Sequence, residues 1–124
     1  MMDFFISRIH SFGHAFCGLG YVLRTQKNAY IHSLATILVI CIALWLRIPA
    51  SDFAILILTI GTVWTAEFIN TSLEAVVDLA SPEKHPLAKV GKDVGAAAVL
   101  IAAMSSVIIG LIILGPALLR KLGY

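Results

Sequence analysis

The chain has 124 residues, is 60% hydrophobic and only 13% charged, and carries a formal net charge of +2. Soluble domains sit near ~45–50% apolar and ~25% charged, so this composition excludes an ordinary soluble domain and predicts one small, all-α integral membrane domain. With no Lys/Arg run and no interleaving of aromatic and basic residues, nucleic acid is excluded as a partner.

In chain order, residues 3–27 come first. Phe4, Phe5, Ile9, Phe12, Phe16, Leu19 and Leu23 recur at helical spacings, while Arg8, His10, His14, Arg24 and Lys27 supply charge. This predicts an amphipathic helix lying in the membrane interface. The same basic residues interrupt any signal-peptide core. Cys17 and Cys41 lack CxxC spacing and read as free thiols. A first span is predicted over 31–48, closing at Pro49. A second follows over 52–79, with Ser51-Asp52 as the expected N-cap. Its length of ~40 Å exceeds the ~30 Å hydrocarbon core, so its far end projects beyond the membrane. Residues 80–92 form a polar loop, and a third span covers 94–114, with Gly115-Pro116 expected to kink or end it. Gly95, Ala98, Ala102 and Ser105 give this span a face of small residues that permits close helix contact. Arg8, Arg24, Lys27, Lys84, Lys89 and Lys92 fall on one side of the membrane, against Arg47, Arg120 and Lys121 on the other. That balance predicts a cytoplasmic N-terminus and a cytoplasmic 80–92 loop.

The second span carries the chemistry. At ~100° per residue, Glu67, Asn70, Glu74 and Asp78 fall within roughly an 80° arc of one face. An acidic residue at bilayer depth costs about 2–3 kcal/mol or more and marks a pathway or a site. Carboxylates on this stripe suit a divalent cation. Lysines at the end of the loop suit phosphate oxygens. A carboxylate shielded by lipid, such as Glu67, is a candidate general base. Together these are the parts for phosphoryl transfer from a Mg-nucleotide to a hydroxyl at the membrane surface; metal binding or proton handling uses similar parts. Standard nucleotide motifs are absent: Gly91-Lys92 is followed by Asp93 rather than Ser or Thr, and no HRD or DFG occurs.

The pattern Glu67-x-x-Asn70-Thr71-x-x-Glu74-x-x-x-Asp78, with Lys92-Asp93 opening a small-residue helix, resembles the prokaryotic diacylglycerol kinase/undecaprenol kinase family of three-span membrane lipid kinases. The resemblance covers nearly the whole chain, and Asn28-x-x-Ile31-His32 is more similar to the undecaprenol-kinase branch. It implies a homotrimeric bundle in the bacterial cytoplasmic membrane, with active sites shared between neighbouring subunits. It also implies Mg²⁺ as cofactor, ATP as phosphoryl donor and a membrane lipid alcohol as substrate. Carried over by position, Glu67 matches the base for the lipid hydroxyl, and Asn70 and Arg8 match substrate contacts. Glu74 matches a metal ligand, and Glu74, Asp78, Glu83, His85, Lys92 and Asp93 match the nucleotide-contacting set. One departure stands out. Where many members carry a second metal-ligating glutamate, this chain has Gln26, which offers a neutral carbonyl oxygen. The expected function is ATP-dependent, Mg-requiring phosphorylation of a lipid alcohol, undecaprenol ahead of diacylglycerol. The alternative is a weakened or non-catalytic member acting as a lipid-binding or scaffold protein. His10, His14 and His32 read as interfacial, and Trp45 and Trp64 as belt or packing residues.

Overall fold

Four helices carry the chain: α1 (Met2–Thr25), α2 (Lys27–Leu46), α3 (Ala50–Ala80) and α4 (Pro86–Leu122). The computed structural model describes residues 1–123, with side chains described for all of these except residues 2–5; the described residues contain no strand. α2, α3 and α4 are each long and apolar enough to cross a membrane.

Each break between helices has a local cause. Gln26 alone separates α1 from α2: it sits at φ −94°, ψ 119°, and its N–H still donates to the Val22 carbonyl at 3.0 Å. α2 ends where Arg47 turns left-handed (φ 52°) and Pro49 follows, disfavouring a helical Ile48. α3 ends at Ala80, and after the turn over 81–85 Pro86 occupies the first turn of α4, where its missing N–H is harmless. His85 caps that turn, its Nδ1 accepting from the Leu87 N–H at 3.2 Å.

Several boundaries differ from the sequence reading. α2 begins and ends earlier than 31–48. α3 starts at Ala50 with Pro49 before it, so Ser51 and Asp52 lie inside its first turn rather than capping it. α4 starts at Pro86 rather than 94, because proline at its start and the Lys89–Asp93 pair one turn on both favour helix there. The loop therefore shrinks to 81–85, and Lys92 and Asp93 stand on helix. At its other end α4 runs through Pro116 to Leu122; the proline removes one hydrogen bond from an otherwise apolar helix, a loss that membrane helices tolerate.

α3 and α4 form an antiparallel hairpin and pack most extensively, with α2 against both and α1 chiefly against α2. Contacts fix the register: Asp78 pairs with Lys92, and Asn70 lies against Gly95. α2 runs antiparallel to α3, the Trp64 Nε1–H donating to Thr36 Oγ1 at 3.1 Å. At the far end, Lys121 Nζ lies 5.5 Å from the centre of the Trp45 ring, joining α4 to α2.

The buried set is unusual for a helical bundle. It comprises small or medium apolar residues such as Ala29, Ala43, Leu56 and Val99, together with Glu67, Asn70 and Thr71. Glu67, 1% exposed, is the one large side chain that is fully buried among the described residues. Large apolar side chains point outward instead, Leu58 at 72% exposure and Ile112 at 67%. That inside-out distribution suits a hydrocarbon surround, where packing and polar contacts rather than water exclusion join helices.

Candidate active site

A cavity of about 290 Å³ lies where the α1–α2 break meets α3 and α4. Gln26 enters it from the break, Asn28 and His32 from α2, and Glu67, Asn70 and Glu74 from α3. α4 closes it with apolar wall residues, Val99 among them. The 3.6-residue period of α3 brings Glu67, Asn70 and Glu74 to this one opening.

Inside, the polar contacts are incomplete. The Asn70 Nδ2–H donates to Glu74 Oε1 at 3.2 Å, and the Thr71 hydroxyl donates to the Glu67 carbonyl at 2.9 Å. His32 Nε2 and Glu67 Oε2 stand 3.8 Å apart, too far for a hydrogen bond. Three buried side-chain atoms have no partner: His32 Nε2, Glu67 Oε2 and Asn70 Oδ1. An unsatisfied buried polar atom costs about 1–3 kcal/mol. Three of them around one cavity mark a place prepared for a polar ligand.

Gly95 completes the arrangement. A Cβ at this position would collide with Asn70 Oδ1. Gly95→Ala is therefore expected to keep the helix, which gains about 1 kcal/mol of propensity. The displaced Asn70 amide would lose its bond to Glu74. Turnover should fall about tenfold, the cost of breaking one charge-assisted hydrogen bond, with the thermal midpoint held. Steady-state rates beside circular-dichroism melts check this; a rate equal to that of the parent chain would show that Asn70 tolerates the shift.

A second, wider cleft of about 540 Å³ sits at the 81–85 turn. Asp78, Glu83, His85, Lys89, Lys92 and Asp93 line it. Lys92 Nζ meets Asp78 Oδ1 at 2.5 Å, and Lys89 pairs with Asp93. Both pairs are partly open to solvent, with side-chain exposures of 39% for Lys92 and 65% for Asp78. Exposed pairs contribute about 0–1 kcal/mol, so parting Lys92 from Asp78 costs little.

The acidic stripe is thus divided: Glu67, Asn70 and Glu74 line the smaller cavity with Gln26, while Asp78 lines the cleft with Glu83, His85, Lys92 and Asp93. Arg8, on α1, lines neither. His85 is spent in part on capping α4. Gly95, on the small-residue face of α4, makes its close helix contact with Asn70 of α3. Among the described residues no three His, Cys, Asp or Glu side chains gather as a metal cage. Cys17 and Cys41 are free and exposed.

Two lining residues escaped the sequence reading. His32, taken as interfacial, reaches inward to Glu67, and Asn28 lies one turn before it. Trp64 serves packing rather than a belt, its ring edge-on to His32 at 6.1 Å and 68°. The usable signal was a second polar stripe, Asn28, His32 and Thr36 at i, i+4, i+8, on the helix that an antiparallel hairpin sets opposite Glu67.

The fold and the two openings define a class: a small all-helical membrane protein with a buried carboxylate–amide cavity and a lysine-bearing cleft at one end of its helical hairpin. Residues 13–114 match the family model for prokaryotic diacylglycerol kinase, and the chain belongs to that family of lipid kinases. It is 44% identical over 110 residues to a diacylglycerol kinase of Synechocystis, covering 88% of this chain but 63% of that protein, less than two thirds of its length. It is 38% identical over 108 residues to the undecaprenol kinase of Bacillus subtilis, covering 87% of this chain and 88% of that protein. A diacylglycerol kinase of Escherichia coli is 36% identical over 102 residues, covering 77% and 84%.

Proposed function

We propose that the chain transfers the γ-phosphoryl group of Mg-ATP to the hydroxyl of a membrane lipid alcohol at the cytosolic face of the bacterial membrane. The observation that carries this reading is Glu67, a buried carboxylate with one oxygen unpartnered on a residue that lines a cavity. In the reaction, Glu67 takes the proton of the acceptor hydroxyl. The hydroxyl oxygen forms a bond to the γ-phosphorus, the bond from that phosphorus to the bridging oxygen breaks, and ADP leaves. Asn70 orients Glu74 through their hydrogen bond and lines the acceptor site. Lys92, released from Asp78, steadies phosphate charge, with Asp93, Glu83 and His85 around the nucleotide. Arg8 contributes from α1 at the lipid side.

Mg²⁺ fits the donor set beside Glu74. One carboxylate and the amide oxygens of Gln26 and Asn28 line the same cavity, and Mg²⁺ prefers oxygen ligands while keeping several waters. The ion would supply charge neutralisation on the phosphates. Glu74 and Gln26 would hold it. Gln26→Glu adds a second anionic ligand, and the Mg²⁺ concentration for half-maximal rate should fall about tenfold. A Mg²⁺ titration of both proteins tests this, and an unchanged requirement would remove Gln26 from the metal site. A rise in rate from near zero would instead favour the second reading, a weakened or non-catalytic member that binds lipid, which the missing charge at Gln26 favours.

Undecaprenol stands ahead of diacylglycerol as acceptor, because the segment that resembles the undecaprenol-kinase branch supplies Asn28 and His32 to the cavity. The Synechocystis relative, named a diacylglycerol kinase, favours the other lipid. The proposed assembly is a homotrimer, with α1 in the interface and the outward apolar faces covered by lipid and neighbouring copies. Purified chain in mixed micelles, given labelled Mg-ATP with undecaprenol and diacylglycerol side by side, tests the whole reading. Label in one lipid supports the kinase and names its acceptor; label in neither removes the proposal.

A further inference from the structure

We propose that His32 is a positioning residue for Glu67, resting on the kinase reading above. Its imidazole fixes which way the buried carboxylate faces when the acceptor hydroxyl arrives.

Three observations carry this. First, His32 Nε2 and Glu67 Oε2 are both buried, both without a hydrogen-bond partner, and 3.8 Å apart. Two buried polar atoms left unmet are costly, and a closure of about 0.9 Å would join them in an ordinary N–H···O bond. Catalytic hydrogen bonds are often long before ligand binds and tighten afterwards. Second, His32 is itself held. Its ring meets the edge of Trp64 at 6.1 Å, and Trp64 Nε1–H is bonded to Thr36 Oγ1, one turn along α2 from His32. A side chain gripped in this way aims its neighbour rather than sweeping through the cavity. Third, His32 is the one ring donor among the residues that line the cavity. The titratable side chains lining the cavity are Glu67 and Glu74 of α3 and His32 of α2, while α4 contributes Ala96, Val99, Leu100 and Ala103, the α1–α2 break contributes Gln26, and α2 also contributes Asn28. The Asn70 amide is committed to Glu74, which leaves the His32 ring standing 3.8 Å from the Glu67 carboxylate.

The division of labour is simple. The N–H of His32 Nε2 donates to Glu67 Oε2, so the carboxylate's remaining lone pairs face the cavity. The acceptor's proton ends on Glu67, and His32 keeps its own. The nucleotide cleft, lined by Asp78 and Lys92, does not include His32.

Two variants separate aiming from filling space. His32→Gln keeps an N–H donor of similar reach; His32→Leu keeps the volume and loses the donor. Both are measured in mixed micelles for kcat, KM for Mg-ATP and thermal midpoint. The expected result is a loss of about 30–100-fold in kcat for His32→Leu, the scale of an ångström's misplacement, with KM for Mg-ATP unchanged. His32→Gln should regain most of that loss. If His32→Leu does not fold, His32→Asn, polar but too short to reach Oε2, replaces it with the same expectation. Equal rates for Leu (or Asn) and Gln, or a change confined to KM for Mg-ATP, would overturn the positioning role and leave the kinase reading intact. A parent chain that phosphorylates no lipid would overturn both.

Discussion

Glu67→Gln is expected to lower kcat by about 10²–10⁴-fold, the range that a positioned general base supplies. The substitution keeps size and shape and removes only the capacity to take a proton. Glu67 lies among Thr71, Asn70 and His32, away from the cleft that holds Lys92 and Asp78. Nucleotide affinity should accordingly stay within about twofold, since contacts this remote add independently. The variant should also fold. A neutral amide is cheaper to bury than a carboxylate, so its thermal midpoint should match or exceed that of the parent. Radiolabel incorporation into lipid, nucleotide binding by calorimetry and melting in detergent read the three quantities separately. Undiminished turnover in a folded Glu67→Gln chain would sink the base assignment.

Glu74→Gln should be the next most damaging change. Glu74 is the one anionic oxygen donor besides Glu67 in the buried cavity, where Gln26 and Asn28 bring only neutral amides. Removing its charge leaves no carboxylate dedicated to a cation. A loss of about 100-fold in rate at fixed, low millimolar Mg²⁺ is expected, from the several kcal/mol that metal-held charge contributes to phosphoryl transfer. The signature is partial recovery at high Mg²⁺, which a proton-transfer defect would not show. Asn70 also loses its anionic acceptor, because its Nδ2–H donates to Glu74, so the effects of Glu74→Gln and Gly95→Ala should be less than additive. Rates measured across a Mg²⁺ series, for each variant and the pair, decide this; a Glu74→Gln chain with an unchanged Mg²⁺ optimum and full rate would take Glu74 out of the metal site.

Much of this was legible in the sequence because membrane helices leave few polar residues to explain. The stripe Glu67, Asn70, Glu74 stands out against Phe, Ile, Leu and Val, and helical periodicity alone brings it to one opening. What was missed depends on pairing between helices. His32 belongs to a weaker, uncharged stripe with Asn28 and Thr36, and its role appears only when α2 lies antiparallel to α3 in the register that Trp64 and Thr36 fix. Asp78 was read with the stripe, yet its ion pair with Lys92 draws it to the cleft. Boundaries shifted where proline acts: Pro86 starts α4 early, and Pro116 fails to stop it. Loop lysines and helix lysines look alike in a sequence, so Lys92 was placed at a loop's end although it stands in the second turn of a helix.

The fully buried carboxylate has one more consequence. Where another bundle would seat a leucine, this chain seats a group whose second oxygen bonds to nothing. A ligand that draws His32 onto that oxygen and meets the carboxylate's other lone pairs binds the folded chain and not the unfolded one, so occupancy and folding are linked quantities. On the proposed reading the acceptor is a missing piece of the interior, and its arrival should register as resistance to melting. Changes selected for robustness alone would fill the gap with hydrocarbon and silence that report.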